Sequence, residues 1–175
     1  MLGGLLVEGL GEHDLGSRKG RLLLKVLLMA RGQPVSPARL AEALWGDRQP
    51  AHPDDQVGVL VSRLRSVLGA DRLPRTDGGY SFGPDWMDLD ELEARVREAR
   101  DALVEGRIGA AFTAADAGLA LARGVVLPEE DGDWVEGARA AAQILVATAR
   151  RVGAEAASRT GDQAAAAVLA QQALL

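Results

Sequence analysis

Glycines and prolines at Gly32, Gly46, Pro50, Pro53, Gly69 and the Gly78-Gly79 pair cut residues 18–82 into short pieces, and nothing else in the sequence restricts its fold as much. Only short helices and tight hairpins fit between stops spaced this closely. From Arg18 to Arg31, Leu22, Leu23, Val26, Leu27 and Ala30 recur at helical spacing, with Arg18, Lys19, Arg21 and Lys25 as the charged remainder. Gly32 stops that helix. Ser36, followed by Pro37 at a first helical position and by Leu40, Ala43 and Leu44, predicts a second helix ending at Trp45-Gly46. Asp47 to Pro53 reads as a loop. A third helix runs from Asp54 or Asp55 to Leu68, carries Val57, Leu60, Val61, Leu64 and Leu68 on one face, and sets both aspartates against the positive end of its dipole. Leu73 to Phe82 then predicts a hairpin about Asp77-Gly78-Gly79. That hairpin is the wing of a winged helix-turn-helix, with Leu5–Val7 as a strand pairing against it.

The texture changes near residue 85. Residues 1–84 carry 11 Lys/Arg against 9 Asp/Glu (+2), and residues 85–175 carry 9 against 16 (−7), within a total of −5. The 175 residues therefore suit two small domains, 1–84 and 85–175. The acidic total disfavours non-specific hold on nucleic acid without excluding a local basic surface on the first half. After Asp88, Leu89, Leu92, Val96, Ala99 and Leu103 repeat helically to a stop at Gly106, and further helices follow at about 109–122, 134–159 and 162–174. Gly106, Ala110, Ala111, Ala115, Gly118 and Leu119 match Gly161, Ala165, Ala166, Ala170, Ala173 and Leu174 at a constant offset of 55. Small residues three or four apart let helices pack closely, so the second half reads as an all-α helical repeat. The expected fold class is mainly α with a small β component: a winged helix followed by a helical repeat of the tetratricopeptide kind.

Several kinds of chemistry lack their residues. The sequence has no cysteine, no GxxxxGK[ST] phosphate loop, no GxSxG nucleophile elbow and no His-rich zinc pattern. His13 and His52 fall in expected loops, and Glu129, Glu130, Asp131 and Asp133 do not have EF-hand spacing. No enzyme, cofactor or metal is expected. Met1 to Leu10 has no basic n-region, and no run approaches the roughly 18 apolar residues of a membrane span, so the expectation is a cytoplasmic protein without membrane contact.

Four pieces in order, "ARLAEALWGD", "VSRLRSVLG", "RTDGGYSF" and "DLDELEARV", resemble the regulators of the Streptomyces antibiotic regulatory protein type. In these an OmpR-like winged helix precedes a bacterial transcriptional activation domain. The similarity covers nearly the whole chain, and full-length members continue into further helical repeats, which implies a truncated chain or a short member. The resemblance implies an activator of secondary-metabolite genes, binding double-stranded DNA at direct repeats with two winged helices head to tail as a homodimer. It implies a recognition helix at about 54–68 in the major groove, a wing at about 73–82, and RNA polymerase contact through loop 46–53. With the apolar face inward, Gln56, Val59, Ser62, Arg63 and Ser66 point outward. Arg63 suits guanine, Gln56 suits adenine, and Ser62 and Arg65 suit phosphates. Arg75 and Thr76 belong to the wing, and Ser17, Arg18 and Lys19 present amides and charge to the backbone. Gly58 and Leu60 stand where the family often has polar residues.

Plainer readings accompany each of these. Arg63 and Arg65 can solvate a helix face or pair with Asp54, Asp55 or Asp71. Trp45 and Trp134 read as packing residues, and Tyr80 as core-facing support of the wing. The functional alternative is a protein-interaction module of a larger signalling protein, with a winged helix that does not hold DNA. An open, electropositive face around Arg63, Arg65 and Arg75 separates the two.

Overall fold

The structure is a computed structural model that describes residues 1–173. It divides into two compact units: Leu5–Asp85 together with Asp131–Val135, and Met1–Gly4 together with Trp86–Glu130 and the chain from Glu136 onward.

In the first unit, α1 (Arg18–Met29) starts at Ser17, whose hydroxyl accepts the Gly20 N–H at 3.2 Å. Its buried surface is wider than a single stripe. Leu23, Leu24, Val26, Leu27 and Leu28 are all buried, and so is Lys25, which the sequence placed on the charged side. Both α2 (Pro37–Trp45) and α3 (Pro53–Leu68) pack on α1, which is why it has so little free circumference. Ser36 caps α2 by accepting the Arg39 N–H at 3.3 Å. Helix α3 begins at Pro53, which the sequence assigned to the loop; the first helical position needs no N–H, so proline fits there. Val57, Leu60, Val61 and Leu64 of α3 and Leu40 and Leu44 of α2 are all buried, and the two helices pack on each other.

A turn of 3₁₀ helix at Ala70–Arg72 leads into β1 (Arg75–Thr76) and β2 (Gly79–Tyr80), paired antiparallel with Arg75 opposite Tyr80 and Thr76 opposite Gly79. The hairpin is the expected one, but its third partner is not Leu5–Val7. Val35 takes that place: its N–H donates to the Tyr80 carbonyl at 2.8 Å and its carbonyl accepts from the Tyr80 N–H at 3.0 Å. Gly79 permits the approach. At φ +124° it lies so near that a Cβ would sit 2.0 Å from the Val35 oxygen. The N-terminal segment instead folds on itself, with Val7 bridging Leu10 across Gly9.

The second unit contains α4 (Asp88–Val104), α5 (Ile108–Leu121), most of α6 (Asp133–Thr160) and α7 (Gln163–Gln172). Its core is built largely of alanine: Ala99 and Ala102 of α4, Ala111, Ala114 and Ala115 of α5, and Val152 and Ala156 of α6. Small side chains bring backbones close. A Cβ on Gly118 would meet Arg95 at 3.2 Å, and one on Gly153 would meet Leu169 at 3.1 Å. Asp88 is buried and accepts from the Met1 ammonium at 2.7 Å and the Leu2 N–H at 2.8 Å.

The 55-residue offset has a geometric counterpart. After α4 the Arg107 N–H reaches back to the Ala102 carbonyl at 2.8 Å past Gly106 (φ +75°), and after α6 the Asp162 N–H reaches the Ala157 carbonyl at 2.9 Å past Gly161 (φ +85°). Both helices end in the same six-residue closure through a left-handed glycine, and a new helix begins one residue later. Leu174, expected as the last matching position and as the end of the final helix, lies outside the described residues. Among the described residues no helix is long and apolar enough to cross a membrane.

Candidate nucleic-acid interface

Helix α3 presents one face away from the core of its unit. At about 100° per residue, Val59 and Ser66 fall opposite the buried line of Val57, Val61 and Leu64, with Gln56 and Arg63 on one flank and Ser62 on the other. All five of these outward residues are exposed. Arg63 has no hydrogen-bond or ion-pair partner among the described residues, so its expected neighbours Asp54, Asp55 and Asp71 do not neutralise it.

The flank bearing Ser62 looks across to the wing over a groove of about 490 Å³. Asp54, Asp55, Gly58, Val59 and Ser62 of α3 line it, with Pro37 at the start of α2 and Arg75 and Tyr80 of the hairpin. Tyr80 fixes the far wall. It is 6% exposed, hydrogen-bonded through its backbone to Val35, and flanked by the Arg75 guanidinium at 5.5 Å and the Arg65 guanidinium at 5.9 Å from its ring centre. Such cation–π contacts suit arginine over a phenol ring and hold Arg75 at the rim of the groove.

The ten residues singled out from the sequence do not all share this surface. Val59, Ser62 and Arg75 meet at the groove, Gln56 and Arg63 are exposed on the other flank of α3 and do not line it, and Thr76 is exposed on β1. Arg65 is engaged elsewhere: its Nε and Nη2 donate to the Leu73 carbonyl at 3.0 and 2.7 Å, tying α3 to the strand that enters the wing. Lys19 likewise donates to the Leu44 carbonyl and lies 5.2 Å from the Trp45 ring centre, joining α1 to the end of α2. Ser17 spends its hydroxyl on capping α1, and Arg18 beside it is exposed. Two basic residues expected to face phosphates are therefore braces of the scaffold, because each reaches a backbone carbonyl of a neighbouring segment. Conversely, Asp54 and Asp55 line the groove. Their helix position was legible, but not that the wing would close over that side.

The groove is thus mixed in charge, with Arg75 at the rim and an acidic pair along α3. Among the described residues no group of His, Cys, Asp or Glu could hold a metal ion.

The family described as "Transcriptional regulatory protein, C terminal" matches residues 12–80, and "Bacterial transcriptional activator domain" matches residues 87–175. The regulatory protein AfsR of Streptomyces griseus is 34% identical over 92 residues, covering 50% of this chain and 9% of the relative. AfsR of Streptomyces coelicolor is 38% identical over 66 residues, covering 38% of this chain and 7% of the relative. The structure of Mycobacterium tuberculosis EmbR, solved in complex with a low-affinity phosphopeptide, superposes with a TM-score of 0.80 at 28% identity, over 91% of this chain and 44% of EmbR. The chain therefore spans under a tenth of the curated relatives and under half of the structural one.

Proposed function

The chain belongs to the bacterial transcriptional activator domain family, in the arrangement of the Streptomyces antibiotic regulatory protein type, and from this we propose that it is a transcription regulator that binds double-stranded DNA sequence-specifically through α3. The observation that carries the reading is the outward face of α3, where exposed Arg63 has no partner among the described residues and where Val59 and Ser62 line a groove walled by the wing. A helix of that shape fits a major groove about 12 Å wide, and an uncommitted arginine there can make paired hydrogen bonds to guanine. Gln56 and Ser62 extend the contact along α3. Arg75 and Thr76 on the wing and Ser17 and Arg18 at the start of α1 take phosphates, which set register without reading sequence. Lys19 and Arg65 serve by positioning these elements.

The helical repeat carries regulation and pairing. Two copies bind head to tail on direct repeats, the loop at 46–53 contacts RNA polymerase, and the protein works in the cytoplasm as an activator without catalytic activity. The reading of a protein-interaction module with an idle winged helix is not favoured, because the family matches place a regulator domain on each half.

Selection from a pool of random duplexes at two salt concentrations tests this. An enriched direct repeat, bound more weakly at the higher salt, is the expected result. No enrichment even at low salt contradicts it.

A further inference from the structure

We infer that Val59 reads the C5-methyl group of a thymine in the major groove; this deepens the DNA-binding reading above and rests on it. Val59 lies at the centre of the outward face of α3, 46% exposed, among the polar neighbours Gln56, Ser62, Arg63 and Ser66. A β-branched residue gains nothing for helix stability in such a place, and at this exposure it contributes little to the core. Val67, the other exposed valine of α3, does not line the groove, whereas Val59 does.

Three features of the groove decide what can approach Val59. Gly58 beside it leaves open space, with nothing within 4 Å of where a Cβ would stand, so a base edge can come close to the helix. Asp54 and Asp55 line the same groove and repel phosphates, which turns the backbone of the duplex away from this part of the surface and leaves base edges facing it. Arg75 at the far rim offers the phosphate its counter-charge instead. Of the groups that base pairs expose in the major groove, the thymine methyl alone is apolar. A valine tip can therefore discriminate there only by covering that methyl.

The test uses the full chain and the duplex it selects. Each thymine is replaced singly by deoxyuridine, which removes the methyl and leaves every hydrogen-bonding group in place. One position per half-site should then weaken binding about fourfold, the effect of losing one buried methyl. The same replacement should leave Val59→Ala unaffected, while that variant melts like the wild type. If no thymine responds, if the selected half-site has none, or if Val59→Ala responds equally, the inference is overturned although DNA binding stands. If no duplex is selected at all, the DNA-binding reading itself fails and takes this one with it.

Discussion

Replacing Gly79 by alanine puts a methyl group where the Val35 carbonyl already lies, 2.0 Å from its oxygen, 2.5 Å from its carbon and 2.8 Å from the Ser36 Cα. All three are backbone atoms, so no side chain can swing aside. The segment containing Val35 must retreat by about 1 Å or more to reach ordinary contact distance, and the 2.8 and 3.0 Å hydrogen bonds joining it to Tyr80 are lost. Two such bonds contribute about 1 kcal/mol each, and a non-glycine residue at φ +124° costs roughly another 1–2 kcal/mol. The sum is about 3–4 kcal/mol, a large share of the stability of a small domain. For a unit of this size it corresponds to a melting temperature lower by roughly 12–30 °C. Thermal unfolding followed by circular dichroism measures this, and hydrogen exchange at the Val35 amide locates it. Gly78→Ala is the control: its Cβ would meet only side-chain atoms, Pro34 at 3.2 Å and the Thr76 hydroxyl at 3.9 Å, and its φ is not left-handed, so a much smaller loss is expected. A Gly79→Ala protein that melts at the wild-type temperature with the Val35 amide still protected would refute the account of the wing.

Arg65→Ala removes both donors to the Leu73 carbonyl, on a residue with 0% exposure, and should cost about 1.5–3 kcal/mol in a urea titration. Gly58→Ala meets nothing within 4 Å and lies inside α3, so it should stabilise the winged unit by about 1 kcal/mol, seen as a higher melting temperature. Gly153→Val should destabilise the helical unit by about 1–3 kcal/mol, since a Cβ there would sit 3.1 Å from Leu169; a scan with unchanged stability would mean that α6 and α7 pack otherwise.

The three helices and the hairpin were legible because each is bounded by a local signal. Gly32 follows one helix, Ser36 caps the next, Gly69 ends the third, and Asp77-Gly78 turns the strands. The 55-residue repeat was legible too, and Gly106 and Gly161 close equivalent helices. What failed were non-local pairings. Val35 is a single residue between two helices and carries no strand pattern, so its bridge to Tyr80 follows only from the missing Cβ of Gly79. The outward set on α3 was readable from helical period alone. The inward turn of Arg65 and Lys19 was not, because a long side chain reaches carbonyls that only the tertiary arrangement brings near.

Arg63→Ala, carried through the same duplex selection as the wild type, tests most directly whether the outward face of α3 reads sequence. Arg63 is exposed and without a partner among the described residues, so the variant should keep its stability within about 0.5 kcal/mol of the wild type. Its selected motif should lose preference for guanine at one position in each half-site, a change of about 1–3 kcal/mol in discrimination. An Arg63→Ala protein that is folded and selects the wild-type motif unchanged would contradict the placement of α3 in the major groove.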